Sequence, residues 1–197
     1  MPRIGIALLR SLMGQTPSKD LVALSQRAEA QGFDAVVFPE SVTDAMACAE
    51  AEAQGTTRIT VGPCLTQVWW RYPALTAATA VTLADQSHGR LLLGLGGCQR
   101  PLMDALEGQR EAPRPYLRAY VGCVQPAMTE QLLAMPTLPR PIPHPIPLYL
   151  ATVALSTAEL GGEIADGLLL VCASRARPAR VRQAITRGAA SAVSIFD

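Results

Sequence analysis

RITVGPCLTQVWWRYPALTAATAVTLADQSHGRLLLGLGG, residues Arg58–Gly97, decides the fold of this chain. It opens on a short apolar run, Ile59–Gly62, which predicts a strand. A polar loop follows. Pro73 then begins a segment carrying Leu75, Ala78 and Leu83, which predicts a helix. His88-Gly89 ends the helix, Leu91–Leu95 predicts the next strand, and Gly94, Gly96 and Gly97 close the stretch. The order puts a polar loop and a glycine-rich loop at the carboxyl ends of two consecutive strands. In α/β folds, ligands bind at those ends.

The same alternation extends outward on both sides. Ile4–Leu8 predicts a first strand, and Thr16-Pro17-Ser18 supplies helix-start chemistry. Leu21, Leu24 and Ala28 recur at helical spacing until Gly32 closes that helix. AVVF, Ala35–Phe38, is the second strand, with Pro39-Glu40-Ser41 after it. Thr43-Asp44 caps an alanine-rich helix reaching Gln54. Beyond Gly97, Pro113-Arg114-Pro115 precedes a helix through Val124. Residues 126–147 hold seven prolines and read as an extended connector. Leu148–Ala151 is a fifth strand. Ser156–Ala165 is a helix that Gly161-Gly162 weakens by roughly 1 kcal/mol per glycine. Leu168–Val171 is a sixth strand, and Pro178–Arg187 a helix stopped by Gly188. Ala192–Phe196 opens a seventh strand.

AVVF, LLLGL and GLLLV are apolar at consecutive positions, the pattern of parallel strands covered by helices on both faces. The fold class is therefore α/β. Periodicity leaves a closed barrel and an open doubly wound sheet both standing. The first strand-to-helix turn lacks GxGxxG, which removes the main support for a dinucleotide-binding sheet.

Composition narrows the function classes. With 197 residues, 49% of them apolar and 17% charged, the chain can bury a real core. A net charge of +1 without a basic run gives nucleic-acid binding little support. No apolar segment approaches the roughly 20 residues needed to span a bilayer. The five cysteines are scattered, with no CxxC pair. An odd count without a signal-peptide pattern fits a reducing cytoplasm.

Four segments together resemble the luciferase-like monooxygenase superfamily, and within it the deazaflavin-dependent reductases such as methylene-tetrahydromethanopterin reductase. They are AEAQGFDAVVFPES (Ala28–Ser41), the stretch Thr57–Gly96, Pro113–Tyr120, and PIPLYLATVALSTAELGGEIADGLLL (Pro145–Leu170). The resemblance implies a TIM-type (β/α) barrel as a single domain over residues 1–197. The barrel is expected to be incomplete, with about six to seven parallel strands, shortened between the fourth and fifth strands and at the C-terminus. It implies coenzyme F420 or FMN as cofactor and hydride transfer to or from a small organic substrate. A homodimer through helices flanking the second and third strands is implied too. Luciferases that emit light place histidine after the second strand, where this chain has Pro39-Glu40-Ser41, and that favours the reductase-like branch. Glu40 and the glycine cluster tilt the cofactor towards the deazaflavin. The shortening keeps a second reading open, a non-catalytic flavin-binding or scaffold descendant of the family.

The candidate site residues each carry a plainer alternative. Hydride chemistry rests on the cofactor, so no Ser-His-Asp set is expected. Gly94, Gly96 and Gly97 let backbone N–H groups approach a phosphate or ring, or simply make a tight turn. The resemblance implies a non-proline cis peptide at Cys64–Leu65 behind the ring. Cys64, Leu65, Thr66 and Gln67 would then contact the cofactor, with Gln67 hydrogen-bonding the ring; the alternative is an ordinary loop start. Thr152, Ser156 and Thr157 either meet the FMN phosphate or cap a helix, Ser156 as N-cap. Glu40 is the candidate catalytic acid–base, or a surface carboxylate. Cys64, Cys98 and Cys172 read as pocket-lining residues in preference to a metal site, and no metal is expected. His144 lies on the opposite face from the strand ends, and His88 in a turn. Trp69 and Trp70 read first as packing, and Arg71 beside them is suited to an anion.

Overall fold

Parallel strands alternate with helices in the computed structural model, which describes residues 5–8, 18–40, 43–97, 113–129, 144–170 and 177–193. The elements are β1 (Gly5–Ala7), α1 (Ser18–Ala30), β2 (Ala35–Phe38), α2 (Ala45–Gly55), β3 (Thr60–Pro63), β4 (Thr66–Gln67), α3 (Pro73–Gln86), β5 (Leu93–Gly96), α4 (Pro113–Ala127), β6 (Leu148–Thr152), α5 (Leu155–Ile164), β7 (Gly167–Leu170) and α6 (Arg177–Val193).

The strand order is β1-β2-β3 in one sheet and β4-β5-β6-β7 in the other. Every pairing is parallel. A bridge between Val61 and Leu91 joins the two sheets. The order thus follows the sequence, as in a β/α barrel, and the fold is a partial TIM-type barrel. In effect β3 and β4 are one strand position, broken at Cys64–Leu65. Its first half pairs with β2 and its second with β5. The polar loop expected after the third strand therefore contains strand.

Local chemistry explains most element boundaries. Asp44 caps α2, accepting from the backbone N–H groups of Met46 (2.9 Å) and Ala47 (3.2 Å). Gly32, at φ 85°, takes the left-handed position that ends α1. Glu29 at the end of α1 accepts from the N–H groups of Thr57, Arg58 and Ile59, tying that helix to the entry of β3. Arg90 fans five hydrogen bonds onto Ala53, Thr56, Ile59 and Ser87, locking the amino-terminal side of the sheet.

The core differs from the sequence reading in its details. The inward face of α3 is Thr76, Ala77, Ala80, Val81, Leu83 and Ala84, whereas Leu75 is 54% exposed and Ala78 also faces outward. Small side chains let α3 lie close, and Thr76 is tolerated inside because its hydroxyl bonds the Tyr120 hydroxyl at 2.6 Å. β5 is buried throughout, as a parallel central strand should be. β2 alternates between half-buried and buried, and β7 is half-buried at every position. Among the described residues β7 has a single neighbour, which leaves it less covered.

Gly188 does not stop the last helix. It lies inside α6, where an added Cβ would sit 1.8 Å from the Glu159 carbonyl oxygen of α5. Gly162 meets the Ile185 carbonyl in the same way, at 2.2 Å. These glycines let two helix backbones touch, so Gly162 is no mere helix weakener. Ala192 and Val193 belong to α6 and do not begin a strand; the rest of that expected seventh strand lies outside the described residues. Most of the expected proline-rich connector, with Cys98 and Cys172, also lies outside them.

Candidate cofactor site

The carboxyl ends of β2 to β6 converge on the broken third strand. The Cys64–Leu65 peptide is cis. β2 continues to pair across the break: the Cys64 N–H donates to the Phe38 carbonyl (2.7 Å), and the Glu40 N–H to the Leu65 carbonyl (2.9 Å). On the far side the Val68 N–H donates to the Gly96 carbonyl at 3.1 Å.

Glu40 lies inside this frame, 7% exposed. Its Oε2 accepts from the Gln67 N–H (2.5 Å) and the Thr66 hydroxyl (2.9 Å). Its Oε1 faces the N–H of Ala45, the first residue of α2, at 3.4 Å. The Gln67 side-chain amide returns a long contact to the Glu40 carbonyl. One carboxylate thus pins the short strand β4 and the start of α2 to the end of β2. Charge-assisted bonds to buried N–H groups are among the stronger contacts a side chain can make.

Cys64 is half-buried, and desolvation pushes its thiol pKa up, which suits a neutral wall residue better than a nucleophile. Among the described residues no cluster of His, Cys, Asp and Glu is arranged to hold a metal.

The glycines divide. A Cβ on Gly94 would strike the Pro63 carbonyl at 2.2 Å and Leu169 at 2.8 Å. One on Gly96 would strike the Leu65 side chain at 2.6 Å and the Ala151 carbonyl at 3.1 Å. Both spaces are filled by neighbouring strands. Gly97 alone is exposed, its nearest neighbour being Trp69 Nε1 at 3.4 Å from an added Cβ. At Gly94 and Gly96 the packing of neighbouring strands leaves no room for a side chain, while Gly97 is exposed beside Trp69.

At the end of β6 Thr152 folds its hydroxyl onto its own turn, accepting from the Ala154 N–H at 2.8 Å. The N-cap of α5 is Ala154, without a side-chain cap. Ser156 is therefore not the N-cap; the helix begins one residue earlier, at Leu155, and leaves Ser156 exposed and Thr157 half-buried in its first turn. Both histidines stand away from this face. His88 is exposed in the turn after α3, and the His144 ring is 3.0 Å from an added Cβ on Gly89, at the amino ends of the strands.

Three partners escaped the sequence reading. Tyr116 stacks on Trp69 with ring centroids 4.0 Å apart and planes 9° from parallel. Tyr120 meets Thr76, and Ser25 meets the buried Glu52. The i, i+4 spacing of Tyr116 and Tyr120 announces a common helix face, but nothing in it says which loop that face meets.

The chain belongs to the luciferase-like monooxygenase family, whose profile matches residues 4–194. It is similar to 5,10-methylenetetrahydromethanopterin reductase of Methanolobus tindarius, 24% identical over 164 residues, covering 78% of this chain and 50% of the relative. A Mycobacterium tuberculosis protein, provisionally named a coenzyme F420-dependent oxidoreductase, is 29% identical over 181 residues, covering 79% and 52%. The chain spans about half the length of these curated relatives. Two solved structures share the fold at a TM-score of 0.79. The coenzyme F420 dependent tetrahydromethanopterin reductase of Methanopyrus kandleri is 21% identical, covering 96% of this chain and 61% of that one. The oxygenating constituent of 3,6-diketocamphane monooxygenase of Pseudomonas putida, in complex with FMN, is 13% identical, covering 96% and 63%.

Proposed function

We propose that this chain carries the cofactor-holding part of an oxidoreductase that moves a hydride to or from a small organic substrate, with coenzyme F420 or FMN at the carboxyl ends of β2–β6. The observation that carries this reading is the buried Glu40 carboxylate, which ties Thr66 and Gln67 of β4 to the end of β2 where the strand ends meet. The residues present fit a ring with a polar edge. Gln67 Oε1 is buried and has no partner among the described residues, an acceptor suited to the ring N–H that flavins and deazaflavins both carry. Gly97 is exposed beside Trp69, and the first turn of α5 keeps N–H groups without a side-chain cap for a phosphate.

The bound ring would supply the hydride-transfer chemistry itself. The roles of the chain are then to bind and orient. Leu65 and Cys64 form an apolar backing, Gln67 fixes one ring edge, and Thr152, Ser156 and Thr157 border the phosphate. Glu40 holds the Thr66–Gln67 segment in place; its hydrogen bonds are committed to the protein, which makes it a positioning carboxylate in this reading. A homodimer through α2 and α3 belongs to the same proposal.

The test is a binding titration of gel-filtered protein with FMN and with coenzyme F420, followed by absorbance and fluorescence. Binding at about micromolar strength to one of them supports the reading. A folded chain that binds neither overturns it.

A further inference from the structure

A concavity lies beside the strand-end site. It is a groove of about 490 Å³ between the loop that leaves β4 and helix α4. Its walls are aromatic, with Trp69, Trp70 and Tyr72 from the loop and Tyr116 and Tyr120 from α4. Trp69 and Tyr116 are already stacked, a flat and rigid surface. Tyr72 is 83% exposed and Trp70 37%, so large apolar rings stand uncovered beside it. The volume falls within the range of small-molecule pockets.

The same groove carries one fixed cation. Arg71 lines it, with its side chain only 14% exposed. Nη1 donates to Asp44 at 2.8 Å and Nη2 makes a long contact to Thr79 at 3.4 Å, while Nε has no partner among the described residues. A guanidinium has five N–H groups, so most of its capacity is uncommitted. Asp44, its counter-ion among the described residues, is half-exposed and cheaply exchanged for another carboxylate. Asp44 also limits what can enter, since its negative charge repels a polyanion such as a di- or triphosphate. Flat rings with one carboxylate match the walls and the charge together.

We propose that this groove is a binding site for a planar aromatic monocarboxylate, separate from the cofactor site and adjoining it across Trp69. The ring lies along the Trp69–Tyr116 wall, and the carboxylate meets Arg71. The site does not depend on the redox reading, because it uses neither Glu40 nor the broken strand.

The protein's two tryptophans both line the groove, so its two indole N–H resonances report on it directly. The experiment is a nitrogen–proton correlation spectrum titrated with 2-naphthoate, with uncharged 2-naphthamide and with the non-planar decalin-2-carboxylate. Naphthoate is expected to shift both indole signals saturably, and each control to bind about tenfold more weakly or worse. Arg71→Gln is expected to lose at least about tenfold in affinity. Asp44→Asn is the complementary variant: asparagine caps helices as well as aspartate does, so α2 survives, and Arg71 is released from its counter-ion. Naphthoate should then bind a few-fold tighter. Four results would each overturn the proposal. They are no shift up to about 10 mM naphthoate, equal affinity for the amide, no tightening in Asp44→Asn, or mutual exclusion with FMN. Indole shifts that follow protein concentration alone would also overturn it, by showing that a second copy fills the groove.

Discussion

Raising the pH should destabilise this protein well before any alkaline group titrates, because of Glu52. The residue lies in α2 with no exposed surface, facing α1. Ser25 donates to Oε1 at 3.2 Å, and Oε2 has no partner among the described residues. Desolvation outweighs that single bond and pushes the carboxyl up from 4.5 to about 8. Between those values the folded state holds a proton that the unfolded state has released. Stability therefore falls as pH rises, by about 1.4 kcal/mol per pH unit, and levels off above the folded pKa. At pH 7 the loss relative to pH 4.5 is on the order of 3 kcal/mol, a large share of the stability of a single domain. Glu52→Gln keeps the acceptor for Ser25 and mimics the protonated acid. Urea unfolding of both proteins from pH 5 to pH 9 is the assay. The two should be similar near pH 5 and diverge as pH rises, with the glutamine variant the more stable by a few kcal/mol at pH 8. Parallel pH profiles would refute the reasoning, since they would mean that water or a local opening already satisfies the carboxylate.

Other predictions follow from the same contacts. Glu29 behaves with the opposite sign: burial acts to raise its pKa, but the backbone N–H groups of Ile59, Arg58 and Thr57 and the nearby Arg58 charge outweigh burial and lower it. Its contribution is present above pH 4.5 and lost as pH falls through its lowered folded value, so Glu29→Gln should flatten the acid limb of the unfolding profile. Glu40→Ala leaves the Gln67 N–H and Thr66 hydroxyl without an acceptor in a buried site. It should cost roughly 2–3 kcal/mol by denaturant titration and abolish binding of FMN or coenzyme F420. Gly188→Ala should destabilise by roughly 1–3 kcal/mol because it forces α5 and α6 apart. Gly122→Ala, whose added Cβ meets nothing within 4 Å, should instead stabilise by roughly 0.5–1 kcal/mol. Equal effects at the two glycines would sink the packing argument.

Much of the architecture was legible along the chain. Consecutive apolar strands, capped helices and the glycine-closed turns gave α/β alternation, because backbone hydrogen bonding and burial period are local properties. Asp44 and Gly32 do what their side chains, or the lack of one, require in any protein. The resemblance placed the cis bond at Cys64–Leu65. What a residue touches was not legible. Gly188 reads as a helix stop and Gly162 as a weak point, until α5 and α6 lie against each other. Leu75 reads as core, until α3 turns its threonine and alanine face inward to meet Tyr120. Ser156 reads as an N-cap, yet the helix starts a residue before it. Glu40 reads as a candidate acid–base or a surface carboxylate; only the approach of β4, 26 and 27 residues away in sequence, buries it and gives it Thr66 and Gln67 as partners. Sequence period specifies which elements form, whereas the partners of a buried charge or a glycine are decided by packing between elements distant along the chain.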